Sequence, residues 1–68
     1  MGFKEDVAKI FKDARGKAEL TQSAVAKKAK VHVNYYARIE RAEVVARGDV
    51  LNKVAKALGI KLKLPLGK

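Results

Sequence analysis

The stretch that decides the fold is residues 20–40, LTQSAVAKKAKVHVNYYARIE. The apolar and small residues of its first half recur at helical spacing, and the hydroxyl of Thr21 is suited to cap the start of that helix. Val31 follows as an apolar residue that fills a turn. A second helix is predicted over about residues 33–41, again with one apolar face. The stretch therefore predicts two short helices that meet at a sharp turn.

The second of these helices has an inward and an outward face. Tyr36 and Ile39 are predicted to lie in the core, because they share one face at helical spacing. The residues left on the outer side are His32, Val33, Asn34, Tyr35 and Arg38. Two short helices at a sharp turn are the layout of a helix-turn-helix, a motif whose second helix reads DNA.

At these residues the chain resembles the phage repressor and Cro-like helix-turn-helix family, also called the xenobiotic-response-element family. The matching positions are Leu20-Thr21-Gln22, Ala26, Val31, Tyr36, Ile39-Glu40-Arg41 and the later run Val54-Ala55-Lys56-Ala57-Leu58-Gly59. The resemblance covers about residues 5–60 and implies an all-α, lambda-repressor-like bundle of four to five helices. Lys30 and Ala42 depart from it, since they stand where the family often has glycine in a left-handed conformation.

The flanking sequence predicts the remaining helices. An amphipathic pattern runs from Lys4 to about Lys17, with Gly16 expected to weaken or end the helix. The apolar residues of 42–48 show no regular helical or strand spacing, so this segment is predicted to form a loop. Asp49 is then expected to cap a last helix that ends at Gly59.

After Gly59 the apolar residues stand at every second position over residues 60–66, which predicts a β-strand. A lone strand leaves its backbone unpaired, so pairing with the same strand of a second copy is one expectation, and a loosely ordered basic tail is the alternative. The predicted division is residues 1–59 as a DNA-binding domain and 60–68 as a tail. The predicted dimer contacts are Leu58, Ile60, Leu62 and Leu64.

The resemblance also implies where DNA would lie. In this family the second motif helix, here about residues 32–41 and called the recognition helix, enters the major groove, and its N-terminal residues reach the base edges. The predicted base contacts are therefore His32, Val33, Asn34, Tyr35 and Arg38. Asn34 suits adenine, and Arg38 suits guanine or a phosphate. The alternative role for His32 is to cap the helix. The alternative for Tyr35 is partial burial beside Tyr36, without a DNA contact. The predicted phosphate contacts are Thr21, Gln22, Ser23, Lys27, Lys28, Lys30 and Arg41.

Composition favours a polyanionic partner. The chain has 68 residues, with 16 Lys and Arg against 7 Asp and Glu, for a net charge of +9. Double-stranded DNA is the expected partner, although a charged surface that keeps a small domain soluble is an alternative explanation of the charge.

Other function classes find little support in the residues. The chain has no cysteine and one histidine, and no nucleophile stands beside a base, so we expect no enzyme activity, no cofactor and no metal. Residues 1–6 lack an apolar signal core and no run is long enough to cross a membrane, which predicts a cytoplasmic protein near the nucleoid.

Two functions from different classes remain open. The first is a solitary transcriptional regulator, expected to be a repressor that binds DNA as a homodimer. The second is an antitoxin or another protein-binding module with the same fold, for which a toxin would be the partner. A chain of 68 residues has little volume to enclose a ligand, which argues against an effector pocket.

Overall fold

The computed structural model describes residues 2–62, which form four α-helices. These are α1 (Phe3–Ala18), α2 (Gln22–Ala29), α3 (Val33–Glu40) and α4 (Gly48–Leu58). Helices α2 and α3 are the two motif helices, so the prediction of an all-helical bundle is confirmed for the described residues, with four helices rather than five. The α2 helix packs against both α3 and α4, and α1 packs against both as well.

One apolar core joins the four helices. Phe11 of α1 and Tyr36 of α3 are fully buried, and their rings stack with centroids 6.5 Å apart. Ala26 is buried between neighbouring helices, which a small side chain permits. The core cluster comprises Val7, Phe11, Val25, Ala26, Ala29, Tyr36, Ile39, Ala46, Leu51, Val54 and Leu58. The inward placement predicted for Tyr36 and Ile39 is thus confirmed.

The two motif helices start at side-chain caps. The hydroxyl oxygen of Thr21 accepts a hydrogen bond from the backbone N–H of Ala24 at 3.0 Å, as predicted. The α4 helix differs from the prediction, because Arg47 is its N-cap residue and no side chain caps it. Asp49 lies instead in the first turn, where its carboxylate favours the positive end of the helix dipole.

A residue with positive φ lies at or just after the end of each helix. Glu19, Lys30 and Gly59 are the C-cap residues of α1, α2 and α4, and Ala42 follows Arg41, the C-cap residue of α3. The four positive φ values lie between 57° and 72°. At the end of α2, the N–H of Val31 bonds to the carbonyl of Ala26 at 2.9 Å, which satisfies a carbonyl that the helix leaves free. The left-handed backbone expected at Lys30 and Ala42 is confirmed, although both residues carry a Cβ that makes this conformation costly.

We expect Lys30→Gly and Ala42→Gly each to raise the free energy of unfolding by about 1 kcal/mol, since glycine removes the Cβ strain at positive φ. Urea unfolding followed by circular dichroism measures this change. Ala37→Gly in the middle of α3 is the matched control and should lower stability by about 1 kcal/mol. A loss at residue 42 equal to the loss at residue 37 would contradict the prediction.

The α1 helix runs from Phe3 to Ala18, so its predicted span of about residues 4–17 is confirmed, and Gly16 does not end it. The side chain of Arg15 bonds to the carbonyl of Leu20 and holds the helix end in place. The prediction of a strand is wrong for residues 60–62, which form none. The N–H of Ile60 bonds to the carbonyl of Ala55, and Ile60 and Leu62 pack against the chain's own core. The rest of the predicted strand, residues 63–66, lies outside the described residues.

Candidate nucleic-acid interface

The outward face of α3, continued by its C-cap residue Arg41, carries a stripe of three exposed polar side chains. Asn34, Arg38 and Arg41 follow one another at intervals of four and three residues, which brings them to one side of the helix. Val33 and Tyr35, the other two predicted base contacts on α3, are half-buried at the edge of this face and pack against the core. The α3 stripe, defined as Asn34, Arg38 and Arg41, is thus the part of the recognition helix most open to a large partner.

His32 stands at the start of the same helix and acts as its cap. Its Nδ1 accepts a hydrogen bond from the backbone N–H of Asn34 at 3.1 Å. A neutral imidazole that accepts at Nδ1 carries its proton on Nε2. The capping role considered for His32 is therefore present, and an exposed Nε2–H donor remains beside the N-terminus of α3, whose backbone N–H groups attract anions.

Glu43 lies between the two arginines of the α3 stripe, an arrangement that the sequence analysis missed. Its Oε2 is 2.8 Å from the Nε of Arg41, and its Oε1 is 3.4 Å from the Nε of Arg38. The hydrogen bond from Arg41, aided by Arg38, lowers the pKa of the Glu43 carboxyl group. Glu43 thus offsets part of the positive charge of the two arginines at this end of the stripe.

Six of the seven predicted phosphate contacts fall at the two ends of α2, and the seventh, Arg41, lies at the end of α3. Thr21, Gln22 and Ser23 lie at the N-terminus of α2, where free N–H groups favour negative charge. Lys27, Lys28 and Lys30 are exposed at its C-terminus. The side-chain amide of Gln22 is already used inside the protein, since its Nε2 donates to Oε1 of Glu40 at 3.0 Å.

Glu40 is the acceptor at the centre of a buried polar network. Arg15 donates to it twice, from Nε to Oε2 at 2.7 Å and from Nη2 to Oε1 at 3.1 Å. The hydroxyl of Tyr36 also donates to Oε2. With Gln22 as the fourth member, this Glu40 network ties α1, the start of α2 and the end of α3 together. It fixes the position of the recognition helix relative to the rest of the bundle.

The network shifts the protonation of its members. Burial alone would raise the pKa of Glu40, but hydrogen bonds from Arg15, Tyr36 and Gln22 bring it below its ordinary value. Burial and the hydrogen bond to Glu40 raise the pKa of the Tyr36 hydroxyl. Glu40 is therefore an anion and Tyr36 a neutral donor at neutral pH, which matches the hydrogen bonds.

The sequence contained a signal for this network. Arg15 follows Val7 and Phe11 at intervals of four, so it lies on the buried face of α1, and Glu40 follows Tyr36 by four on the buried face of α3. A basic and an acidic residue on two facing apolar surfaces indicate an ion pair, because a buried charge needs a partner. Each face taken alone indicates only a helix with one charged residue on its apolar side, and the pair appears when the two faces are combined.

The predicted dimer contacts are mostly turned towards the chain's own core. Leu58 is only 8% exposed, and Ile60 and Leu62 are half-buried against the core. Leu64 lies outside the described residues. The burial of Leu58 leaves little of its side chain for a second subunit, so Ile60 and Leu62 are the members of the set with surface to offer.

Other kinds of site were sought over the same residues. Between residues 2 and 62, no group of three histidine or acidic side chains is arranged to hold a metal ion. Within that range, no helix has both the length and the apolar character needed to cross a membrane.

Comparison with known proteins agrees with the geometry of α2 and α3. The family model described as helix-turn-helix matches residues 11–64, which is most of the chain. No curated protein and no solved structure matches the chain. The match includes the two motif helices, the loop after them and α4, and this domain is the fold of DNA-binding transcriptional regulators. The chain belongs to the Cro and phage-repressor type of helix-turn-helix proteins.

Proposed function

We propose that this protein is a sequence-specific repressor of transcription that binds double-stranded DNA through α3. The observation that carries the proposal is the α3 stripe: an amide and two guanidinium groups stand exposed on one face of a helix whose opposite face is buried. Asparagine and arginine are the side chains that pair in bidentate fashion with adenine and guanine in the major groove. Occupying a promoter is enough to block it, which is why repression is the proposed sense.

The proposed active form is a homodimer. One short helix reads only a few base pairs, whereas two copies related by a two-fold axis read a palindrome with half-sites about 34 Å apart. Ile60 and Leu62 supply apolar surface near the end of α4 for such contact. We expect removal of residues 60–68 to weaken self-association, which sedimentation equilibrium measures. An unchanged association constant for the shortened chain would contradict this surface assignment.

The experiment that tests the function is selection of bound duplexes from a random DNA pool, followed by titration of the enriched sequence at two salt concentrations. An enriched palindrome with affinity that falls steeply as salt rises supports a dimeric regulator. Weak, salt-sensitive binding without any enriched sequence would overturn it, and would favour the protein-binding module considered from the sequence. The proposed DNA partner places the protein in the compartment that holds the chromosome.

A further inference from the structure

A groove lined by lysine lies outside the recognition helix. It runs between the C-terminal ends of α2 and α4 and has a volume of about 380 Å³. Its lining consists of Lys28, Ala29, Lys30, Lys53, Lys56 and Ala57. We call it the lysine groove. The two alanines form a shallow apolar floor, and the four lysines surround it without a single acidic side chain.

The charge of this groove is not balanced from within the described chain. Between residues 2 and 62, the ion pairs are formed by Arg15, Arg38, Arg41 and Arg47, and none of them involves a lysine of the groove. Four neighbouring positive charges without carboxylates repel one another, and binding of an anion relieves that repulsion. Attraction to the negative end of a helix accounts for Lys28 and Lys56, which lie in last turns, but not for Lys53 in the middle of α4.

The position of the groove indicates which polyanion it meets. Lys30 ends α2, and His32 caps α3 only two residues later, so the groove opens at the turn that leads into the recognition helix. A duplex in contact with Asn34 is therefore close to this turn, because Asn34 follows Lys30 by only four residues. The phosphate backbone on that side is the nearest extended anion, and it offers regularly spaced charges.

We infer that the lysine groove binds the phosphate backbone of DNA that flanks the segment read by α3. Lys53 and Lys56 thereby extend the DNA contact beyond the helix-turn-helix. These added contacts have no sequence preference, since phosphate contacts position a protein without reading bases. This inference rests on the proposed function. It adds that affinity depends on the length of the duplex as well as on its sequence.

The test is a double variant, Lys53→Ala with Lys56→Ala, measured on two duplexes that contain the enriched site. One duplex extends beyond the site on both sides and the other ends at its edges. The matched control is Lys9→Ala with Lys12→Ala, which removes two exposed lysines at the same spacing from α1. Circular dichroism melts of both variants verify that the fold is kept.

On the long duplex we expect the slope of log affinity against log salt to become less negative by about 3.6 for the groove variant, because the dimer loses four phosphate contacts and each removes about 0.9. The control should have the same salt slope as the wild type on both duplexes. The groove variant should have the same salt slope as the wild type on the short duplex. Equal salt slopes for the groove variant and the control on the long duplex would overturn the inference. A loss of affinity by the groove variant that is as large on the short duplex as on the long one would also overturn it.

Two further outcomes separate this inference from its alternatives. If the wild-type chain binds no duplex, the proposed function fails and the inference fails with it. If the wild type binds DNA and only the inference is wrong, the groove variant shows no loss of affinity that is confined to the long duplex. Loss of binding to an oligoglutamate peptide by that variant alone would then reassign the groove to an acidic protein segment.

Discussion

Replacing Glu40 with alanine is expected to lower the free energy of unfolding by about 3 kcal/mol, at the lower end of the cost of breaking a buried ion pair. The loss leaves Arg15, Tyr36 and Gln22 without their common acceptor. The Tyr36 hydroxyl is fully buried and stays unsatisfied, whereas the Arg15 side chain is 24% exposed and regains some hydration. A domain of this size has a total stability of about 3 to 10 kcal/mol, so the variant loses from about a third to nearly all of it.

Urea unfolding followed by circular dichroism measures this effect. Glu40→Gln provides a second variant that keeps the size and one acceptor oxygen, and it should fall between the wild type and Glu40→Ala. Glu43→Ala is the control, because it removes an exposed carboxylate that also pairs with arginine, and it should change stability little. If Glu40→Ala unfolds at the same urea concentration as Glu43→Ala, the buried network contributes nothing to stability.

The same network predicts how stability depends on pH. The folded-state pKa of Glu40 is lowered from the unfolded value of about 4.3. Its contribution to stability is therefore present above pH 4.3 and is lost as the pH falls through the folded-state pKa. The wild type should lose stability more steeply below about pH 4.3 than Glu40→Gln does. Parallel profiles for the two proteins in that range would contradict the assignment.

Asn34→Ala is expected to remove preference at one base-pair position, with a loss of about 1 to 3 kcal/mol in discrimination. The physical reason lies in the exposed side-chain amide. Between residues 2 and 62 it has no hydrogen-bond partner, while the backbone N–H of Asn34 is held by His32. The amide is thus free to pair with a base, and its removal leaves the start of α3 intact.

The measurement is competition between duplexes that differ from the enriched site at single positions. Lys28→Ala is the control, because the dimer loses two phosphate contacts, which should weaken binding to all duplexes alike and make the salt slope less negative by about 1.8. Selectivity profiles that change in the same way in the two variants would show that the roles of Asn34 and Lys28 are assigned wrongly.

Much of the fold follows from local patterns in the sequence. The cap at Thr21, the burial of Tyr36 and Ile39, and the left-handed turns at Lys30 and Ala42 were all predicted, and the structure confirms them. Each depends on neighbouring residues, through helical spacing, a short capping side chain or a turn that the chain must make. Such features need no knowledge of how distant parts of the chain meet.

The features that were missed depend on contacts between distant residues. Arg15 lies on α1 but bonds to Glu40 on α3 and to Leu20 beyond the helix. The alternation at Ile60 and Leu62 comes from packing on the core rather than from strand pairing. Glu43 lies in the loop after α3 and contacts both arginines of the α3 stripe. Spacing along the chain places a residue on a helix face but does not show which distant residue it meets.

The positive-φ residues at the helix ends affect which substitutions this protein can tolerate during evolution. Glu19, at the end of α1, is far along the chain from Asn34 and Arg38, yet its backbone conformation is one that glycine adopts at lower cost. A single substitution there can raise stability while the proposed DNA-reading side chains stay as they are. The added stability can then offset destabilising changes on α3 that alter the preferred operator. Tolerance of new recognition sequences is thus set partly at a helix end that takes no part in reading DNA.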